Sequence, residues 1–261
     1  MAAFPLGEIM PATRIIARLD VKAPNLVKGV HLEGLRIIGD PAEYARRYYE
    51  QGADEIMYQD IVASLYQRNS LLDLISRTAH DVFVPITVGG GIRSVDDVKA
   101  ALRAGADKVA VNTAATKDPE LIRRIAQAFG SQCLVVAIET IKDEKGVWRA
   151  FTDNGREQTG LDAVQWARQA EELGAGEILL TSVDREGTFR GMEQDLIRAV
   201  EAAVSIPVIA HGGAANPADV AKTVREAGAD AVAVAGLLHY GRAAIADIKA
   251  AMVEAGVEVR P

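Results

Sequence analysis

Little in this chain points toward covalent or metal chemistry. Of its 261 residues, one is cysteine, four are histidine and 5% are aromatic. A single Cys133 rules out a disulfide framework, and its place in an apolar run makes it a buried thiol. No His/Cys/Asp/Glu cluster has metal-ligand spacing, and neither a nucleophile elbow nor a dinucleotide fingerprint occurs, so no metal and no cofactor are expected. No run of 18 apolar residues exists, and Met1 to Pro11 lacks the basic start and apolar stretch of a signal peptide. A net charge of −7 argues against nucleic-acid partners. No membrane segment and a reducing cytoplasm are the expectation. Almost half of the residues (49%) are hydrophobic, enough for a large core rather than disorder.

What the chain does have is an internal echo. Gly52-Ala53-Asp54-Glu55 recurs as Gly174-Ala175-Gly176-Glu177 after 122 residues, and Gly105-Ala106-Asp107-Lys108 as Gly228-Ala229-Asp230-Ala231 after 123. Val88-Gly89-Gly90-Gly91 falls opposite Ala210-His211-Gly212-Gly213, and the run ending in Asp20 falls opposite the run ending in Glu139. A period near half the chain length signals a duplicated half rather than a short solenoid repeat.

Apolar runs predict strands at Arg14–Leu19, Glu55–Gln59, Val84–Val88, Lys108–Val111, Leu134–Ile138, Glu177–Leu180, Pro207–Ala210 and Ala231–Ala235. They are apolar on both faces, as a parallel sheet covered by helices requires. Asp40-Pro41, Asp118-Pro119 and Asn216-Pro217 pair a helix cap with proline at the first helical position. The Gly of each repeated unit ends a helix in a left-handed turn. Eight strand–helix units with a twofold repeat predict an α/β fold, a closed (βα)8 TIM barrel, as a single domain over residues 1–261. Long loops run from Val21 to Gly39 and from Thr140 to Gln158; Val147–Thr152 in the second is a candidate hairpin.

On such a barrel the chemistry belongs at the C-terminal ends of the strands. Asp20 and Glu139 end strands one and five and face each other across the mouth, where two carboxyls can divide acid and base roles; the alternative is that each caps its strand. Gly90-Gly91 with Asn112-Thr113, and Gly212-Gly213 with Ala235-Gly236, form two candidate phosphate cradles, or else tight turns. Lys28 is either part of a lid or a solvated charge. Thr181 and Glu186 lie just past strand six among candidate substrate contacts, where the alternative for Asp184 and Arg185 is a pair with each other. His211, beside the second Gly pair, has either a structural or a binding role. Arg14, Glu55, Lys108 and Glu177 start strands one, two, four and six, giving a charged ring across the barrel bottom that serves stability or gates a passage.

From Arg14 to Pro261 the chain resembles the cyclase-subunit (HisF) family of imidazole glycerol phosphate synthase. The resemblance rests on Leu19-Asp20-Val21-Lys22, Thr87 to Arg93, Gly105 to Val109, Asn112 to Ala115, Phe129 to Gln132, Gly174 to Ser182 and Ile206 to Ala210. It implies a lyase/cyclase of histidine biosynthesis, an amino-acid biosynthesis enzyme in a glutamine amidotransferase heterodimer. A HisH-like glutaminase would dock on the N-terminal barrel face. Its ammonia would pass an ammonia gate of Arg14, Glu55, Lys108 and Glu177 to a bisphosphorylated small-molecule substrate. The resemblance makes Asp20 a catalytic acid, Lys28 the lid lysine and Thr181 a substrate contact. It assigns Gly91, Asn112 and Thr113 to one phosphate site and Gly213 to the other. The chain departs from the family pattern at Glu139 and Glu186, where the family has Asp, and at His211 and Gly236, where it has Ser. The four departures imply an altered substrate or altered phosphate-end geometry, and Ala23–Val27 and Leu65–Asn69 resemble a paralogue group that supplies ammonia or an intermediate for amidation of a surface-polysaccharide sugar; a barrel serving only as conduit is the third reading.

Overall fold

A strand that is apolar on both faces can be stable only between two packed layers, and the chain supplies both. The computed structural model describes residues 12–63 and 71–260; Met1–Pro11 and Leu65–Asn69 lie outside them. Among the described residues twelve strands form one sheet. Eight of them are parallel and close on themselves: β1 (Arg14–Lys22), β4 (Glu55–Asp60), β5 (Ile86–Gly89), β6 (Lys108–Val111), β7 (Leu134–Lys142), β10 (Glu177–Ser182), β11 (Val208–His211) and β12 (Ala231–Val234), with β12 pairing back to β1. Alternate side chains point outward to the helices and inward to the bore. Ile15, Leu19 and Leu180 join the outer core, whereas Ile16, Met57, Val135, Leu179 and Ile209 form a separate apolar layer inside the barrel. The TIM barrel is as expected.

The repeated Gly-Ala-Asp unit has a structural purpose. Gly105 (φ 112°) turns the chain out of the helix Val95–Arg103. The acid that follows then accepts a hydrogen bond from the first or second residue of the preceding barrel strand: Asp54 from Ile15 N (2.7 Å), Asp107 from Ile86 N (2.8 Å) and Asp230 from Val208 N (2.9 Å). In the fourth unit Gly176 replaces the acid, and its own N–H donates to the Leu134 carbonyl at 2.9 Å. A side chain there would collide with the Ser131 carbonyl oxygen, 2.0 Å from an added Cβ. Strand pairs are thus stitched at their N-terminal ends, leaving the opposite ends for function.

Several boundaries differ from expectation. Strands three and seven begin at Ile86 and Val208, because Pro85 and Pro207 have no N–H and contribute only their carbonyls, to Ile56 N (3.0 Å) and Ile178 N (2.9 Å). Asp40 and Asn216 cap the helices Pro41–Glu50 and Pro217–Ala227 as predicted. Asp118 does not cap its helix. It already terminates the short helix Thr113–Lys117, its carboxylate pairs with Arg124 at 2.6 Å, and the next helix starts at Glu120 without a side-chain cap. Cys133 is buried.

Both long loops are hairpins, not one. β1 continues into β2 (Asn25–Val30) and β3 (Glu33–Gly39), joined by a two-residue turn with His31 and Leu32 at φ 53° and 62°. Such a turn usually carries Asn or Gly, which is why the first hairpin escapes a sequence reading. β7 continues into β8 (Trp148–Thr152) and β9 (Glu157–Asp162). Among the described residues, no helix is long and apolar enough to cross a membrane.

Candidate active site

Asp20 and Glu139 stand at the C-terminal ends of β1 and β7, four strands apart either way around the barrel. Their surroundings are unlike. Both Asp20 oxygens are held by cations: Oδ1 by Arg18 Nε at 2.9 Å and Oδ2 by Lys28 Nζ at 2.9 Å. Burial alone would raise this carboxyl, but Arg18 and Lys28 outweigh it and keep Asp20 well below the usual carboxylate range. Among the described residues Glu139 has no such pair. Its Oε2 accepts one hydrogen bond, from Gly155 N at 2.7 Å, and burial pushes the carboxyl up to about 7 against that bond.

The first hairpin folds over the barrel mouth, in the place of a closed lid. Lys28 is 2% exposed, so the solvated reading is wrong; its ammonium bridges Asp20 and Glu186. Three further bonds pin the lid tip to the loop after β10. His31 N donates to Glu186 O (2.9 Å), His31 Nδ1–H to Val183 O (2.8 Å), and Leu32 N to Glu186 Oε2 (3.4 Å). Asn154 Nδ2 donates to Leu32 O at 3.1 Å and ties the two hairpins together. Asp184 and Arg185 do not pair with each other: Asp184 accepts from Lys142 N (2.9 Å) and Arg185 pairs with Glu193 (3.0 Å).

The two predicted cradles also differ. A cavity of about 520 Å³ lies between Gly90-Gly91, Asn112-Thr113, Glu139 and the second hairpin. Here Gly90 and Gly91 have φ 89° and 78°, so their successive N–H groups can form an anion-binding concavity. Asn112 and Thr113 are partly committed to scaffolding: Asn112 Nδ2 donates to Phe151 O (3.2 Å), and Thr113 Oγ1 accepts from Asp153 N (3.3 Å). The second cradle, lined by Glu186, His211, Gly212, Gly213, Ala235 and Gly236, retains only about 20 Å³. Phe189, at φ 56°, fills it; an added Cβ on Gly236 would lie 3.0 Å from the Phe189 ring. Arg242 stacks on the outer face of that ring, 3.9 Å from its centroid. His211 donates from Nδ1 to Ala233 O (2.9 Å), while Nε2 has no hydrogen-bond partner among the described residues. Burial, with Arg18 and Lys28 nearby, holds it neutral, so Nε2 accepts hydrogen bonds and does not donate to a phosphate.

At the opposite end of the bore the four predicted charges meet. Arg14 contacts Glu55 (2.9 Å) and Glu177 (3.2 Å), and Lys108 contacts the same two acids (2.9 and 3.0 Å). Thr87 adds a short hydrogen bond to Glu55. The ring alternates in sign and closes the bottom. Thr181, 1% exposed, lies within 3.4 Å of Arg18. Arg18, Phe189, Asn154 and Gly155 are site residues the sequence reading missed. Only Arg18 had a visible signal: it shares the inward face of β1 with Arg14, Ile16 and Asp20 by period-two spacing.

Two comparisons with known proteins bear on this geometry. The family model described as Histidine biosynthesis protein matches residues 14–244. "Imidazole glycerol phosphate synthase subunit HisF" of Legionella pneumophila is 62% identical over 204 residues, 78% of this chain and 96% of that protein. The protein of the same name from Myxococcus xanthus (strain DK1622) is 50% identical over 251 residues, 96% of this chain and 99% of its own length. A barrel with paired acids at one end and a charged ring at the other, matched across nearly its whole length, belongs to the histidine biosynthesis protein family, among the imidazole glycerol phosphate synthase HisF subunits.

Proposed function

We propose that this chain is the ammonia-dependent cyclase of imidazole glycerol phosphate synthase. It converts a bisphosphorylated ribulosyl-aminoimidazole carboxamide to imidazole glycerol phosphate and an aminoimidazole carboxamide nucleotide. The observation that carries the chemistry is the unequal pair of acids. Adding ammonia to a carbonyl and expelling water requires one group to give a proton and another to hold or take one. Glu139, with its carboxyl near 7, is suited to exchange protons at neutral pH, while Asp20 stays ionised and stabilises cationic nitrogen.

The cavity beside Gly90-Gly91 receives one phosphate of the substrate. The cradle at Gly212-Gly213 and Gly236 receives the other once Phe189 leaves it. His211 Nε2 accepts a hydrogen bond from a substrate hydroxyl, and Lys28 seals the site from water. Ammonia comes from a glutaminase of the HisH type seated on the N-terminal barrel face. It enters through the ring of Arg14, Glu55, Lys108 and Glu177 and crosses the apolar layer of the bore.

The test is turnover of the bisphosphate by the purified chain with saturating ammonium, following release of the aminoimidazole carboxamide nucleotide. Ammonium replaces the glutaminase, so the barrel chemistry is read alone. Product formation that Asp20→Asn and Glu139→Gln both abolish is expected. A folded chain with no turnover would contradict the cyclase and favour a role in amidation of a different substrate.

A further inference from the structure

Arg18 lies inside the barrel, two residues before Asp20 on the same inward face of β1, and is 2% exposed. A cation in that position must be paired to be tolerated. Ile16, one step lower on the same face, shows that an apolar side chain serves the bore there. A charge at position 18 is therefore not needed to fill space. What it touches gives its purpose. Arg18 Nε donates to Asp20 Oδ1 at 2.9 Å, and Nη1 reaches across the bore to Thr181 Oγ1 on β10 at 3.4 Å. Lys28 takes the other oxygen, Oδ2, from the lid side.

The two cations hold Asp20 from different parts of the molecule. Lys28 belongs to a hairpin folded over the mouth, whereas Arg18 belongs to the barrel wall. We propose that Arg18 is a positioning residue for the cyclisation: it clamps Asp20 from below and braces against Thr181, so that the carboxylate keeps its orientation and charge while the lid and Lys28 lift away. The groups facing Asp20 support this division. Arg18 stands on its own strand, Lys28 on the lid and His211 on β11, with Glu186 and Glu139 across the mouth, whereas His239 of the short helix Gly236–His239 shares its Nδ1 with Tyr48 at 2.7 Å. Both histidines are held neutral by burial. With the lid raised, Arg18 is the one permanent cation left on Asp20 among the described residues.

The test uses Arg18→Met, which keeps the length and loses the charge, beside Arg18→Lys, which keeps the charge and loses the fork. The kinetic arm rests on the cyclase reading. With saturating ammonium, kcat of Arg18→Met should fall roughly 100-fold, as misorientation of a reacting group does. KM for the bisphosphate should move less than about threefold, because the lost interaction is not substrate binding. Arg18→Lys should recover part of kcat. A second arm is independent of substrate: ¹³C NMR of the Asp carboxyls, with Asp20 assigned through Asp20→Asn. Asp20 should stay ionised to the acid limit of the folded parent and titrate at higher pH in Arg18→Met; if that variant does not fold, Arg18→Lys carries the titration. A kcat within twofold of the parent, or an unmoved Asp20 titration, overturns the clamp. If the parent has no turnover, the cyclase reading fails, and the titration still decides what Arg18 does to Asp20.

Discussion

Half-barrels built on the same repeat finish their mouths in opposite ways. On the β1 side the acid is saturated with charge, bound at both oxygens by Arg18 and Lys28 under a closed hairpin. On the β7 side the acid has a single N–H for company and looks into a cavity of about 520 Å³. The cradles divide in the same manner: the one at Gly90-Gly91 is open, and the one at Gly212-Gly213 is filled by Phe189. Duplication thus supplied two equivalent frames, and the side chains set in them separate the roles. Two carboxyls in equal surroundings would compete for one proton; unequal surroundings assign it.

The largest effects should come from breaking each acid separately. Asp20→Asn removes the carboxylate that Arg18 and Lys28 hold, and Glu139→Gln removes the exchangeable proton. Each should lower ammonium-driven kcat by about 100- to 10,000-fold, read by product release. Glu139→Asp sharpens the same contrast. Shortening the side chain withdraws it from Gly155 N–H by about 1 Å, and kcat should fall by up to roughly 100-fold. A variant as active as the parent would mean that the hairpin contact does not set the geometry.

The cradles give a smaller effect. Phe189→Ala empties the seat on Gly236, so the bisphosphate no longer has to displace a ring held at positive φ. Its KM should drop by roughly three- to tenfold, the penalty of a closed state removed. An unchanged KM would show that Phe189 does not compete with the ligand.

Stability against pH reports the acids without substrate. Glu139 is raised in the folded state to about 7 from an ordinary value of 4.5, so the native protein binds its proton more tightly than the unfolded chain does. Its contribution is therefore fully present below pH 4.5 and is lost as pH rises through 7. Glu139→Gln should flatten the urea-unfolding free energy across that window. Glu201, pushed up to about 8 by burial, remains in both proteins and cancels in the comparison. Equal slopes for the two proteins would mean that Glu139 is not raised.

Much of this was legible in the sequence because it is carried by backbone periodicity. Leu134–Ile138 reads as a doubly covered strand, the half-chain repeat reads as a barrel, and Asp20, Glu139 and the four bottom charges follow from strand ends. What escaped depends on contacts between distant segments. The lid is a hairpin whose turn residues, His31 and Leu32, are unusual there and are held by Glu186 and Val183, far along the chain. Phe189 reads as an ordinary loop residue until Gly236 makes room for it. Charge pairing is equally hidden: nothing local distinguishes Lys28 from a surface lysine, and Arg18 shows its purpose only once Asp20 and Thr181 converge on it.

Titrating both carboxyls in one sample reads the inequality of the two acids without substrate. In protein labelled with ¹³C at the Asp and Glu carboxyls, with Asp20→Asn and Glu139→Gln for assignment, Glu139 should titrate near pH 7 while Asp20 remains ionised to the acid limit of the fold. Two acids titrating together in the ordinary carboxylate range would mean that their surroundings do not separate their roles.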